Sequence, residues 1–187
     1  MTEVWFVRHA EPNYDNHNDL LRELTEKGLK DRAKVCDFFA DKEITVALSS
    51  PYKRSIDTIR PFTDSRGLEI EIVDDLRERK VSDEWVEEFK DFTARQWEDF
   101  SFRLSGGECL REVQDRNIAA LKGILKKYKG EKIIIGSHGT ALSCIINYYD
   151  DSYGYEDFRA MVGKMPWVVE FIFDDDMNCL EINKFDI

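Results

Sequence analysis

The chain has 187 residues, of which 42% are hydrophobic and 35% charged, and its formal net charge is −11. This length predicts a single domain over residues 1–187 with a complete core, and the acidic balance argues against nucleic acid as a partner, since that binding rests on clustered Lys and Arg. No segment is apolar for long enough to cross a bilayer, and no signal peptide opens the chain. Four scattered cysteines without a CxxC motif fit reduced thiols and a cytoplasmic location.

The first half of the chain alternates strand and helix patterns. Apolar runs predict strands over residues 3–9 and 45–48, and alternating apolar and acidic residues over 68–73 predict a third strand, half exposed or at an edge. Thr25 has the position of an N-cap for a helix over residues 26–41. A second helix begins at Lys53, and Pro61 is expected to interrupt or bend it. Residues 10–24 form a polar loop.

An acidic and aromatic segment, residues 80–104, opens the second half. Its aromatic residues recur at roughly helical spacing, which favours one or two helices packed on the body of the protein, with a helical cap over a site as the alternative. The aromatic residues are Trp85, Phe89, Phe92, Trp97, Phe100 and Phe102.

The remaining elements complete an α/β pattern. A long helix is predicted to run to about Tyr128 and to end at Gly130, followed by a strand over 132–136 and a helix over 140–149. A short helix over 155–163 and a β-hairpin of residues 168–173 and 179–185 follow. Strands that alternate with helices predict a three-layer α/β/α sandwich around a mostly parallel sheet.

Two predicted strands end in a histidine. Arg8 and His9 follow one apolar run, and His138 follows another, so both histidines are expected at the edge where the carboxyl ends of the strands meet and ligands bind. Polar groups also follow the other predicted strands, at Ser49-Ser50, with Arg54 a turn beyond, and at Glu78. Taken singly, each has an ordinary structural explanation, such as a hydrogen-bonded core histidine or a surface ion pair.

Taken together, these side chains predict a phosphate site. Arginine guanidinium groups match phosphate oxygens bidentately, and a neutral imidazole is a competent nucleophile. A carboxyl group at the rim would protonate a leaving oxygen. The combination is typical of phosphoryl transfer through a phosphohistidine.

The ordered motifs of the chain resemble the histidine phosphatase superfamily, whose fold is similar to that of phosphoglycerate mutase. Six blocks occur in the family's order within residues 4–142, and Ala10 replaces the glycine that usually follows the Arg-His pair. The blocks are Arg8-His9-Ala10, Leu24-Thr25-Glu26-Lys27-Gly28, Ser49-Ser50-Pro51 with Arg54, Leu76-Arg77-Glu78, Gly106-Gly107-Glu108 with Val113 and Arg116, and Ser137-His138-Gly139. Two further departures are Asp15, with Asn16 beside it, where asparagine is common, and Arg32, where glutamine is common.

The resemblance implies a role for each matching residue. His9 would be the nucleophile, and Arg8, Arg54 and His138 would hold the phosphate oxygens. Glu78 would be the general acid, and no metal or cofactor would be needed. The compact chain favours a phosphatase that acts on a small phosphorylated substrate over a mutase, and a catalytically silent phospho-ligand-binding regulator is a third alternative. Neither the physiological substrate nor the oligomeric state follows from the sequence.

Overall fold

Six strands form one mixed sheet in the part of the chain that the structure describes, residues 1–84, 86 and 89–187 of a computed structural model. The strands are β1 Thr2–Arg8, β2 Val46–Ser49, β3 Ile70–Ile72, β4 Lys132–Ser137, β5 Trp167–Phe173 and β6 Cys179–Asp186. Their order across the sheet is β3-β2-β4-β1-β5-β6. The first four are parallel, whereas β5 is antiparallel to β1 and β6 is antiparallel to β5. The mostly parallel sheet and the C-terminal hairpin are therefore confirmed.

Helices occupy most of the predicted positions. They are α1 Glu26–Phe38, α2 Lys53–Ser65, α3 Phe89–Glu98, α4 Leu110–Lys127, α5 Gly139–Tyr149 and α6 Tyr155–Met161. The Thr25 side chain caps α1 by accepting a hydrogen bond from the Gly28 N–H at 3.0 Å, as predicted. Gly130 follows α4 with a φ of 84°, the left-handed conformation that glycine adopts at low cost. Strand β3 is shorter than the predicted 68–73, and α1 ends three residues before the predicted end.

Pro61 does not interrupt α2, which runs from Lys53 to Ser65. Proline lacks an N–H group, so the carbonyl four residues earlier, that of Asp57, loses its helical donor. Arg32 on α1 supplies a replacement, because its Nη1 donates to the Asp57 carbonyl at 3.3 Å. Of the two predicted effects of Pro61, the interruption was wrong, since a neighbouring helix satisfies the freed carbonyl, and the bend stays a prediction.

Both faces of the central strands β1 and β4 are buried, which explains their continuous apolar runs over residues 4–7 and 133–135. Val4 and Phe6 of β1 belong to the larger core cluster, which includes residues of α4, α5 and α6. Trp5 and Val7 point to the opposite face and pack in a second cluster with residues of α1 and α2. This alternation along one strand confirms the three-layer α/β/α sandwich.

The aromatic segment 80–104 contributes one described helix, α3, which packs on the body of the protein. Phe92 is buried, and the Trp97 ring lies 5.6 Å from that of Phe158 and 6.1 Å from that of Tyr153. Trp85 lies outside the described residues. The role of residues 80–104 as a cap over the site stays a prediction. Within the described ranges, no helix has the length and apolarity that a transmembrane span requires.

Candidate active site

Strands β1 and β4 bring the two predicted histidines to one edge of the sheet. The strands are parallel neighbours, with Arg8 paired to Ser137, so His9 and His138 both follow directly at the carboxyl ends. Their ring centroids are 5.4 Å apart. His9 keeps 5% of its surface exposed, while His138 is fully buried. The expected convergence of the two imidazoles is therefore what the structure shows.

His9 is held in one orientation and one tautomer. Its Nδ1 lies 2.8 Å from the carbonyl oxygen of Ala10, which can only accept, so Nδ1 carries the proton in the neutral ring and Nε2 has a free lone pair. Burial, followed by the charges of Arg54 and Arg8, lowers the pKa of His9 well below its ordinary value. The ring is therefore neutral, as a nucleophile must be.

A hydroxyl network holds His138 behind His9. Its Nε2 lies 2.6 Å from the Ser50 Oγ, and the Ser50 Oγ lies 3.1 Å from that of Ser55. Among the described residues, no group bonds to the buried Nδ1 of His138. Burial, together with the charge of Arg54 and then that of His9, lowers the pKa of His138 well below its ordinary value. His138 is thus also neutral, with one ring nitrogen unpartnered.

Arg8 is anchored by backbone carbonyls rather than by a carboxylate. Its Nη1 donates to the carbonyls of Met161, Val162 and Lys164 at 2.7, 2.9 and 2.8 Å. The Arg8 Nε is buried and has no partner among the described residues. A guanidinium group that is fixed at one nitrogen and free at another is suited to bind an anion from a preset direction.

Arg54 is buried beside a second arginine that the sequence analysis did not identify, Arg22. The Nη1 of Arg54 donates to the Asp19 carbonyl at 2.7 Å, and the Asp19 carboxylate lies 2.9 Å from Arg22 and 3.4 Å from Arg54. The Arg22 Nε donates to the Asn16 carbonyl at 2.7 Å. Arg22 is 7% exposed, and its charge also contributes to the lowered pKa of His9. The charges of three arginines, Arg54, Arg8 and Arg22, therefore act on His9.

Glu78 lies at the N-terminus of α5. Its Oε1 accepts from the N–H groups of Arg79 and Ala141 at 2.8 and 3.0 Å, and its Oε2 accepts from that of Thr140 at 2.9 Å. The first N–H groups of a helix have no partner within the helix, so they are free to bind the oxygens of a carboxyl group. Glu78 is therefore fixed by backbone next to His138, the residue that precedes α5.

Asp15 and Asn16, at the position where the family commonly has asparagine, have different surroundings. Asp15 is exposed, and its N–H donates to the Asn13 side chain at 3.1 Å. The Asn16 side chain donates to Glu23 at 2.7 Å, while its carbonyl holds Arg22. Asn16 thus supports the arginine cluster indirectly.

The sequence analysis missed the loop residues Asp19 and Arg22, because polar loop residues follow no periodic pattern and their partner, Arg54, lies on another element.

Tyr52 was also missed. Its ring lies 5.1 Å from that of His138, and the Arg54 guanidinium lies 4.9 Å from the Tyr52 ring centroid. Only the Ser-Ser-Pro block that precedes Tyr52 pointed to this part of the site.

The side chains of this site are together suited to one kind of chemistry. Two neutral imidazoles and fixed guanidinium groups lie together at the sheet edge, and the carboxyl group of Glu78 lies next to His138. Such an arrangement binds a tetrahedral dianion and offers it a nucleophile. Over the described ranges, the structure has no cluster of three or more His, Cys, Asp or Glu side chains placed to hold a metal ion.

Known proteins are similar to this chain in sequence and in fold. The chain is 31% identical over 160 residues, 78% of this chain and 67% of the relative, to the metal-independent phosphoserine phosphatase of Arabidopsis thaliana. It is 27% identical over 159 residues to "Probable phosphoglycerate mutase GpmB" of Salmonella choleraesuis, with 79% and 74% of the two chains covered. A mutant phosphoserine phosphatase from Entamoeba histolytica, solved with phosphoserine, has the same fold, with a TM-score of 0.73 at 19% identity over 98% of this chain and 97% of that one.

These similarities confirm the prediction that the protein is a phosphatase. The alternative, a phosphoglycerate mutase, is not better supported. The sequence pattern of one family covers residues 4–181. That span includes residues 4–8 of β1, all of β4 and every side chain of the site described above. The chain belongs to the histidine phosphatase superfamily, branch 1.

Proposed function

We propose that the protein hydrolyses phosphate monoesters through a covalent phosphohistidine on His9. One observation carries the proposal: the Nδ1 of a buried, neutral His9 is bound to a carbonyl, so the lone pair of Nε2 is free beside Arg8, Arg54 and His138. An imidazole in that state attacks phosphorus directly, whereas a protonated one does not.

In the first step, His9 Nε2 forms a bond to phosphorus as the ester P–O bond breaks. Arg8, Arg54 and His138 bind the three non-bridging oxygens and stabilise their charge in the transition state. His138 donates from Nδ1, the ring nitrogen without a partner in the structure. Arg22 adds positive charge at the same side of the pocket.

Glu78 protonates the leaving oxygen. A carboxyl group has about four lone-pair positions, two on each oxygen. Oε1 already accepts two N–H bonds, whereas Oε2 accepts one, so Oε2 is the oxygen with room for the transferred proton. In the second step, the Glu78 carboxylate takes a proton from water, which attacks phospho-His9, breaks the P–N bond and releases inorganic phosphate.

Phosphoserine is the first substrate to test, because the Arabidopsis thaliana relative is named for that activity. Its carboxylate would meet an arginine-rich wall that includes Arg22. A mutase would instead return the phosphoryl group to a second hydroxyl, so the product distinguishes the two reactions.

The decisive experiment measures turnover and the intermediate together. Phosphate release from p-nitrophenyl phosphate and from phosphoserine is followed with a chelator present, and the enzyme is quenched in alkali, where phosphohistidine survives. We expect chelator-resistant turnover and one phosphoryl group on His9, located by mass spectrometry. His9→Ala should lose about 10⁴-fold or more in kcat, while His17→Ala, in the exposed part of the loop, is the matched control.

Two results would contradict the proposal. Tight binding of phosphate without turnover of any ester would indicate a phospho-ligand-binding regulator. Transfer of the phosphoryl group between the hydroxyls of a phosphoglycerate, with little release of inorganic phosphate, would indicate a mutase.

A further inference from the structure

The Gly-Gly-Glu block at residues 106–108, with Arg116, matches the family, yet the proposed reaction gives it no role. In the structure, Gly107, Glu108 and Arg116 lie against a different segment of the chain. They contact the backbone of residues 75–81, the segment that carries Glu78.

Arg116 on α4 binds that segment on the N-terminal side of Glu78 and at Glu78 itself. Its Nη1 donates to the carbonyls of Asp75 and Arg77 at 2.9 and 2.8 Å, and its Nη2 lies 3.2 Å from the carbonyl of Glu78. Three successive contacts from one rigid guanidinium group fix the path of the backbone.

Glu108 binds the same segment on the C-terminal side. Its Oε2 accepts from the Lys80 N–H at 2.9 Å, and its own N–H donates to the Lys80 carbonyl at 2.8 Å. Gly107 permits this approach, because a Cβ at that position would lie 2.0 Å from the Val81 carbonyl oxygen.

Arg116 and Glu108 also bind each other. The Arg116 Nε and Nη2 donate to Glu108 Oε1 and Oε2 at 2.8 and 2.9 Å, a bidentate pair. The two side chains are only 10% and 19% exposed, so solvent screens the pair little. Burial raises the pKa of Glu108, but the hydrogen bonds from Arg116 and Lys80 outweigh it and the net pKa is lowered. The pair is therefore a charged, mostly buried brace.

We propose that the Glu108–Arg116 pair is a positioning device for the general acid: it holds the backbone of residues 75–80 so that Glu78 Oε2 faces the leaving oxygen of the substrate. The N-terminus of α5 fixes the carboxyl end of the Glu78 side chain, and the pair fixes its backbone end. Both restraints are needed, because proton transfer requires donor and acceptor within hydrogen-bond distance. This inference rests on the proposed role of Glu78 as the acid.

The test uses leaving groups of different basicity. An aryl oxide leaves without protonation, whereas an alkoxide needs the proton, so misplacing Glu78 slows alkyl esters selectively. For Arg116→Met, we expect kcat/KM on phosphoserine to fall about 10- to 100-fold and that on p-nitrophenyl phosphate about threefold or less. Arg116→Lys, which keeps the charge without the bidentate fork, should fall between wild type and Arg116→Met. Arg111→Met, an exposed arginine of the same helix, is the matched control.

A purely structural role would lower both activities equally, and that result in a folded variant would overturn the inference. Glu108→Gln provides a second variant if Arg116→Met does not fold. In the Glu78→Gln background, Arg116→Met should cause no further selective loss, because the group it positions is already absent. A full additional loss would also overturn the inference. If Glu78→Gln alone slows both esters equally, the proposed acid is wrong, and the positioning role falls with it.

Discussion

At the scale of single residues, the proposed role of His138 depends on the hydroxyl of Ser50. The Tyr52 N–H donates to the Ser50 Oγ at 3.2 Å, and we expect the hydroxyl to donate in turn to His138 Nε2, 2.6 Å away, rather than to the Ser55 Oγ at 3.1 Å. A neutral imidazole whose Nε2 accepts has its proton on Nδ1. That is the nitrogen required to donate to a phosphate oxygen.

Ser50→Ala should therefore weaken transition-state binding. Without the hydroxyl, His138 can place its proton on either nitrogen, and one buried nitrogen loses its partner. We expect kcat/KM to fall about 10- to 100-fold, the effect of about 1.4–2.8 kcal/mol. Ser49→Ala is the control, because the Ser49 hydroxyl bonds to Ser55 and its loss should affect activity much less. Equal losses in the two variants would contradict the tautomer argument.

Arg22 gives a second prediction at this scale. Its charge lowers the pKa of His9, so Arg22→Met should raise that pKa and move the acid limb of kcat/KM to higher pH. Loss of a cation from the pocket should also raise KM for phosphate esters about tenfold. The pH profile of Arg60→Met, an exposed arginine on α2, serves as the comparison. An unchanged acid limb in Arg22→Met would show that Arg22 does not act on His9.

The contrast between Arg22 and the predicted residues shows what a sequence can indicate about a site. His9 and His138 stood out because each ends an apolar run, and a charged or polar residue there needs a reason. Arg54 and Glu78 were found because they follow other predicted strands, and the family blocks then supported them. Arg22 lies in a polar loop, where an arginine is ordinary, and its importance depends on a contact with Asp19 that has no sequence pattern.

At the scale of elements, the close approach of α1 to the loop after His9 depends on Gly28. The Thr25 N–H donates to the Glu11 carbonyl at 3.0 Å, and a Cβ on Gly28 would lie 2.3 Å from that carbonyl oxygen. Glu11 is only two residues from His9. The Leu-Thr-x-x-Gly block therefore combines a helix cap with the contact that places the helix.

Gly28→Ala should destabilise the fold, since backbone must move to relieve the overlap. We expect a loss of about 1–3 kcal/mol in the free energy of unfolding, measured with urea. Gly123→Ala is the matched control: Gly123 is exposed on α4 with nothing within 4 Å of the added Cβ, so helix propensity should stabilise it by about 0.5–1 kcal/mol. A gain of stability in Gly28→Ala would refute the contact argument.

Element boundaries were harder to predict than the elements themselves. Strand β3 pairs only along β2, with three residues in register, so pairing length and not the apolar pattern of 68–73 sets its ends. The continuity of α2 through Pro61 depends on Arg32, a residue of another helix. In both cases the missing information is a long-range contact.

At the scale of the whole molecule, the site depends on strand order. Strand β4 inserts between β2 and β1, which brings Ser50, His9 and His138 side by side although they lie far apart in the chain. The alternation of strands and helices predicts a mostly parallel sheet but not this order, because any parallel neighbour would bury the same apolar strands. The common edge of the site could be predicted, and the partner of each residue could not.

Burial of two neutral histidines also makes the stability of the whole fold depend on pH. His9 and His138 have pKa values well below the ordinary value, for which desolvation is the largest cause, whereas histidines in the unfolded chain titrate near about 6.5. Below that pH, the unfolded chain binds more protons than the native state. The stability that these histidines contribute is thus present above pH ~6.5 and is lost progressively as the pH falls toward their folded pKa values.

The free energy of unfolding should therefore decline between pH ~7 and ~5 with a slope that approaches about 1.4 kcal/mol per pH unit for each histidine. Paired carboxylates such as Glu23, whose pKa is lowered to about 2 by hydrogen bonds from Asn16 and Asn13, weaken the fold only at lower pH. His9→Gln should remove one contribution and flatten the slope in this window, measured by urea unfolding in phosphate-free buffer. An equally steep slope in His9→Gln would mean that His9 has the same pKa in the native and unfolded states, which would contradict the lowered pKa on which its neutral state rests.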